Sequence, residues 1–236
     1  MLRTLVVAAS FFCLLAGCEG TPPPAPPRTS VTVYGGDTAY EALTEPESPW
    51  YGTLGKVDEG RYALRYGDAE QALYTKDAEA KLEPFMNQKV VVTGKLAGAG
   101  GGALLWPAAV EVHTDGLLAC SKSTPQVPVV EKIASPYLES LIAQQPGDRV
   151  EPIIISFCED QIVTPESTQE QLERLRASSY VMLSEELAPL VVAVKSSDWL
   201  TQSLEVEMKL GRVLELAGRA DVVGLVSGDE PPVPPP

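Results

Sequence analysis

Few residue types in this 236-residue chain could do chemistry, and their spacing narrows the list further. His113 is the one histidine, and no serine or cysteine lies near it in sequence to complete a nucleophile–base pair. Ser156 and Ser179 fall in stretches that predict strands, and neither has the Gly-x-Ser-x-Gly setting that lifts a nucleophile out of a sheet. The glycine run "AGAGGG" (97–102) lacks the lysine and hydroxyl residue that phosphate binding requires. The acid pairs in "CED" and "SEE" predict solvated strand ends, and no Cys-x-x-Cys or His-x-x-x-His pair predicts a metal site. The expectation is a chain that is no enzyme and carries no cofactor and no metal. Cysteine chemistry is left, at Cys18, Cys120 and Cys158.

Cys18 closes the sequence "MLRTLVVAASFFCLLAGC", in which Arg3 precedes an apolar run of eleven residues from Leu5 to Leu15. A membrane span needs about 20 residues, so the run predicts a secretory signal. Leu15-Ala16-Gly17-Cys18 resembles the bacterial lipobox, which implies a signal peptide over 1–17 and a lipidated Cys18. The chain would then be held on a membrane by acyl chains, each buried methylene adding about 0.8 kcal/mol. Such a protein belongs to the bacterial cell envelope, facing either the periplasm or the cell surface. Five prolines between Pro22 and Pro27 predict an extended spacer over 18–30. Its ten residues from Glu19 to Arg28, at about 3.1 Å each, would lift the first folded domain roughly 30 Å from the lipid.

Charge excludes one class of partner. The formal net charge is -14; residues 31–118 hold seven basic and thirteen acidic residues, and 119–236 nine and eighteen. Both halves are acidic with no basic stripe, which argues against nucleic acid. The hydrophobic fraction of 44% suffices for packed cores.

Between Trp50 and His113 the pattern predicts strands: "YGTLGKV", "RYALRYG" and "QALYTK", then a brief helix with Leu82, Phe85 and Met86, then "KVVVTGKL" and "ALLWPAAVEVH". Pro107 predicts an edge or a bulge in the last strand. Three strands, a helix and two strands resemble the OB-fold, as found in small domains of envelope lipoproteins; this implies a β-barrel over 31–118. Tyr62, Tyr66 and Tyr74 are expected to be half-buried strand residues rather than a stacking platform for bases. An alternative expectation makes this domain the working part. It would bind a glycan or peptidoglycan fragment through Trp50, Tyr51, Tyr62 and Trp106 on one exposed face.

A linker over 119–130 leads to "ASPYLESLIAQQPGD", a helix with Ser135 as cap and Pro136 at its first position, its apolar face formed by Leu138, Leu141 and Ile142. "RVEPIIISF" predicts a strand covered by helices. "TPESTQEQLERLRAS" predicts an amphipathic helix opened by a Ser167–Glu170 capping box. "YVMLSEEL" and "PLVVAVKS" predict two strands. From Asp198 to Gly218 helix and strand compete: "LEVEMKLG" alternates like a strand, and helix is favoured at 210–218. "DVVGLVS" predicts the closing strand. The order β-α-β-β-α-β is that of a ferredoxin-like α+β domain. The fold class expected is therefore two domains, an all-β OB-like barrel and an α+β ferredoxin-like domain over 131–228, with a Pro-rich tail over 229–236.

Over roughly residues 130–229, from "EKIASPYLESLIAQQPGDRVEPIIISF" to "ADVVGLVSGDE", the chain resembles the subtilisin propeptide, or inhibitor I9, family. The resemblance implies a domain that packs its sheet on a subtilisin-like protease and sends the chain after its last strand into the active-site cleft, a form of strand addition. Ser227, Gly228, Asp229 and Glu230 would be the partner-binding residues, because the prolines beyond them lack the N–H groups that strand pairing needs. Since "GDEPPVPPP" stands where the family's catalytic domain usually follows, the implied action is inhibition or chaperoning in trans. A further alternative is an envelope scaffold. In an oxidising compartment Cys120 and Cys158 either form a disulfide that clamps linker to domain, worth about 3–4 kcal/mol, or remain two thiols with Cys158 buried.

Overall fold

The computed structural model describes residues 29–57, 60–98, 102–120, 126–144, 147–158 and 168–229. The fold is mixed α and β: two antiparallel sheets, of six and four strands, with five α-helices among the described residues. The signal and lipobox expectations, the spacer as far as Arg28, Glu230 and the prolines after it lie outside the described residues, while Ser30, expected to end the spacer, is instead a strand residue paired with Glu111.

The first sheet contains β1 (Ser30–Thr32), β2 (Glu47–Lys56), β3 (Tyr62–Tyr66), β4 (Ala69–Ala72), β5 (Lys89–Ala97) and β6 (Leu104–Val112). Helix α1 (Thr38–Glu41) follows β1, and α2 (Glu79–Leu82), extended by a 3-10 turn at Glu83–Phe85, separates β4 from β5. The ladder order β1-β6-β5-β2-β3-β4 is that of an open sheet. One parallel bridge, Leu73 to Leu105, joins the chain after β4 to β6. Trp50, Leu54, Tyr62, Leu64, Leu82, Phe85, Val90, Val92 and Leu105 form the core beneath it. Pro107 lies at a bulge: Thr93 faces Ala109 but Gly94 faces Pro107, so Ala108 is the extra residue. The close approach there brings the Trp106 carbonyl to where a Cβ of residue 94 would sit, and only glycine fits. Two elements without a clear sequence signal, β1 and α1, extend this part; β1 pairs with β6.

The second sheet has the order β10-β7-β9-β8, with β7 (Val150–Phe157), β8 (Ala193–Asp198), β9 (Ser203–Lys209) and β10 (Val222–Ser227). Helices α3 (Pro136–Ala143), α4 (Gln169–Leu187) and α5 (Val213–Ala217) bury one of its faces. Ile153, Ile155 and Phe157 of β7, Leu204, Val206 and Met208 of β9, and Val222 and Leu225 of β10 share one core with Leu138, Leu183, Leu187 and Leu216. Ser135 caps α3, its Oγ accepting from the Leu138 N–H, with Pro136 at the first position.

The order β-α-β-β-α-β of elements 150–227 matches the expectation, but two strands differ from it. "YVMLSEEL" is not a strand: Tyr180 to Leu187 is the second half of α4. Leu172, Leu175, Ser179, Met182, Leu183 and Leu187 recur at three- and four-residue spacing and are all buried, so helical periodicity runs through the whole segment. The missing strand comes from "LEVEMKLG", whose alternation places Leu204, Val206 and Met208 in the core and leaves Glu205 and Glu207 outside. The capping box of α4 is Thr168 with Gln171 rather than Ser167 with Glu170.

Helix α4 serves both sheets. Leu175 belongs to the first core, while Met182, Leu183 and Leu187 belong to the second. β2 begins before β3 can pair with it, which leaves the Tyr51 N–H facing away from β5. Ser178 Oγ of α4 accepts that N–H at 3.1 Å.

Cys120 and Cys158 are joined in a disulfide, their Cα atoms 5.5 Å apart across a sequence separation of 38. Replacing both by serine is expected to cost about 4 kcal/mol of unfolding free energy, read from urea denaturation with and without reductant. Leu175→Ala is expected to cost about 2–5 kcal/mol. Because α4 is shared, fluorescence and far-ultraviolet circular dichroism should report one coincident transition, shifted as a whole.

Candidate functional site

The residues expected to work as an exposed aromatic face do not form one. Trp50 and Tyr51 are neighbours on β2 and therefore point to opposite sides of the sheet. Both sides are covered: Trp50 is in the first core, and Tyr51 packs in the second core. The Tyr51 hydroxyl accepts the Ala119 N–H at 2.7 Å. Tyr62 is also buried, its hydroxyl donating to Glu83 Oε2 at 2.6 Å. Trp106 alone of the four is half-exposed.

Trp106 instead meets Tyr74 and Tyr34. The Trp106 and Tyr74 rings stack at 3.7 Å with 7° between planes, and Tyr34 lies tilted at 5.6 Å from Tyr74 and 5.9 Å from Trp106. The backbone explains the convergence. Tyr74 N–H donates to the Leu105 carbonyl at 2.8 Å, and Tyr34 N–H to the Pro107 carbonyl at 3.1 Å. Both segments are thus fastened to β6 at its bulge, on either side of Trp106. The Tyr34 hydroxyl donates to the Lys76 carbonyl, and Lys81 Nζ donates to the Val33 carbonyl at 2.7 Å. These rings, with Asp37, Lys76, Asp77 and Lys81, line a cleft of about 340 Å³. Burial, then Tyr74 and the carboxylates of Glu79, Asp77 and Asp37, push the Tyr34 phenol up to about 12, so it stays a neutral donor at physiological pH. Tyr34 lies ahead of the first stretch with a clear strand signal; the alternation of Val31 and Val33 before Gly35-Gly36 is the one local cue to it.

A second cleft, of about 370 Å³, lies where the first sheet meets α4, lined among others by Tyr51, Arg65, Tyr66, Lys89, His113 and Glu185. Lys89 Nζ and Glu185 Oε2 approach to 3.4 Å across it. The His113 side chain is 9% exposed, edge-on to the Tyr51 ring at 5.4 Å, and its Nδ1 is 3.8 Å from Asp115 Oδ1. Its Nε2 is buried without a partner among the described residues. Ser156 lies on β7 and not near a base, and Ser179 is a helix residue rather than a strand one, its hydroxyl donating to the Arg176 carbonyl at 2.8 Å. Among the described residues no group of three or more His, Cys, Asp and Glu could hold a metal ion.

The residues assigned to a partner lie at the end of β10. Ser227 is 4% exposed and pairs with Ile153, and the Gly228 N–H donates to the Pro152 carbonyl at 2.8 Å. Asp229 is exposed, its N–H directed at Ser227 Oγ. The outer edge of β10 is in part occupied: Leu225 exchanges hydrogen bonds with Lys132 and Ala134.

Burial pulls the His113 imidazole below its ordinary pKa, opposed by the carboxylate of Asp115. The unfolded chain then takes up this proton near pH 6.5, and the folded chain only at lower pH. In that window the unfolded state binds more protons, so stability falls as pH drops below about 6.5, by at most about 1.4 kcal/mol per pH unit. His113→Gln should flatten the curve of unfolding free energy between pH 7 and the onset of carboxylate titration, measured by urea denaturation at stepped pH. Comparison of the chain with protein-family models, with curated proteins and with solved structures finds no match.

Proposed function

We propose that this chain is a lipid-anchored, non-enzymatic protein of the bacterial cell envelope, tethered through Cys18, whose C-terminal part binds a protein partner. In this reading residues 31–118 are an OB-like domain, which the single Leu73–Leu105 bridge across the open sheet supports, and 131–228 a ferredoxin-like domain of the propeptide type. The partner is a subtilisin-like protease, inhibited or chaperoned in trans.

One observation carries the reading. The helices bury a single face of the four-stranded sheet, and the residues that alternate with the core ones are left half-buried: Pro152, Ile154 and Ser156 on β7, Glu205 and Glu207 on β9, Val226 on β10. A sheet with one face on its core and an aliphatic strip on the other is suited to lie flat on helices of a second protein. The oxidising compartment that the anchor implies agrees with the Cys120–Cys158 disulfide. Ser227 and Gly228 remain in the sheet, so the segment available to enter a cleft starts at Asp229.

The test is inhibition of a panel of subtilisin-like proteases by the full chain, by Ile154→Arg and by a chain ending at Gly228. Saturable inhibition is expected from the full chain. Ile154→Arg should weaken it at least about tenfold, equal to about 1.4 kcal/mol of binding. Truncation should abolish inhibition while leaving complex formation. Absence of both inhibition and complex formation across the panel would sink the protease reading, and equal inhibition by the truncated chain would remove the role of Asp229 and Glu230.

A further inference from the structure

We propose that the cleft framed by Tyr34, Tyr74 and Trp106 binds a neutral oligosaccharide. This site lies on the first sheet and stands independently of the protease reading.

Four observations select that ligand class. Tyr34, Tyr74 and Trp106 are among the lining residues, and although Tyr74 and Trp106 cover one face of each other, pyranose C–H groups, weakly positive, fit the negative faces that are left. The rim is polar and balanced: Asp37 and Asp77 offer carboxylate acceptors, Lys76 and Lys81 ammonium donors, two charges of each sign. A ligand with many hydroxyls can use both kinds, whereas an anion would meet more repulsion than attraction, since the Glu79 carboxylate also acts on Tyr34. A polyanion is disfavoured further by the net charge of -14. The volume, about 340 Å³, lies in the range of small-molecule pockets.

The site is also held in place before any ligand arrives. Tyr74 and Trp106 stack on each other, and both Tyr34 and Tyr74 are fixed by backbone hydrogen bonds to β6. Lys81 is positioned by the Val33 carbonyl, and the Lys76 carbonyl by the Tyr34 hydroxyl. Little side-chain entropy is then lost on binding. Asp77, one of the lining residues, has a positive φ of 61°, a conformation open to aspartate.

Calorimetric titration of the full chain, in a detergent without a sugar headgroup, with maltotriose, cellotriose, mannotriose and chitotriose tests the site. At least one should bind saturably and change tryptophan emission. Tyr74→Ala and Trp106→Ala should each weaken binding at least about tenfold. Asp77→Gly keeps the left-handed backbone and leaves both rings intact, so it should weaken binding several-fold at unchanged melting temperature. The proposal is overturned if none of the four binds at concentrations up to about 10 mM. It is equally overturned if binding is unmoved in all three variants, or if a synthetic peptide of residues 229–236 occupies the cleft and the sugars do not.

Discussion

The whole molecule depends on helix α4 being buried on two sides. Nineteen residues long, it gives Leu175 to the core of the six-stranded sheet and Met182, Leu183 and Leu187 to the core of the four-stranded sheet. A helix in this position cannot carry a continuous polar face, and its buried set includes Ser178, Ser179 and Arg176. Each of these side chains has a hydrogen-bond partner, though the Nε of Arg176 has none among the described residues. Ser178 accepts the Tyr51 N–H, Ser179 donates to the Arg176 carbonyl, and the Arg176 guanidinium donates to the carbonyls of Trp199 and Leu200. Leaving such groups unpaired in a core would cost about 1–3 kcal/mol each. The helix is therefore held in register by polar contacts as well as by apolar burial.

A second tie fastens the end of the first sheet's chain to the second sheet. Asp221 is 0% exposed and is paired with Arg219 at 2.9 Å. It also accepts the Leu118 N–H at 3.0 Å, while Arg219 reaches the Gly116 carbonyl at 2.9 Å. A buried ion pair is seldom a net source of stability, but it specifies geometry. Here it places the connecting segment directly before Cys120, where the disulfide to Cys158 closes on it. Leu118, expected to end the first domain, is instead buried in the second core, and Cys120 of the expected 119–130 linker packs against that core.

This shared packing explains which parts of the chain are legible in sequence. Caps and turns rest on local backbone needs, so Ser135, Pro136 and the bulge at Pro107 can be read directly. "KVVVTGKL" and "RVEPIIISF" are readable because β-branched runs that long suit few other structures. "YVMLSEEL" misleads because Tyr180 and Val181 favour strands locally, although no breaker separates them from the helix already begun at Gln169. "LEVEMKLG" carries its strand pattern openly, but apolar residues on either side fit a helical period equally well.

Sequence alone settled the acidic character of both halves and the places of α3, β7 and β10 in the second half. Composition and short-range spacing suffice for these, because each is a property of neighbours along the chain. Tertiary structure decided which aromatics are buried and which meet. Trp50, Tyr51 and Tyr62 vanish into cores, whereas Tyr34, Tyr74 and Trp106 converge from three separate segments. The reason is physical: a side chain's exposure follows from what is packed across from it. Here the packing partners are a strand bulge at Pro107 and a helix whose Ser178 lies 127 residues beyond Tyr51, and no local pattern encodes either distance.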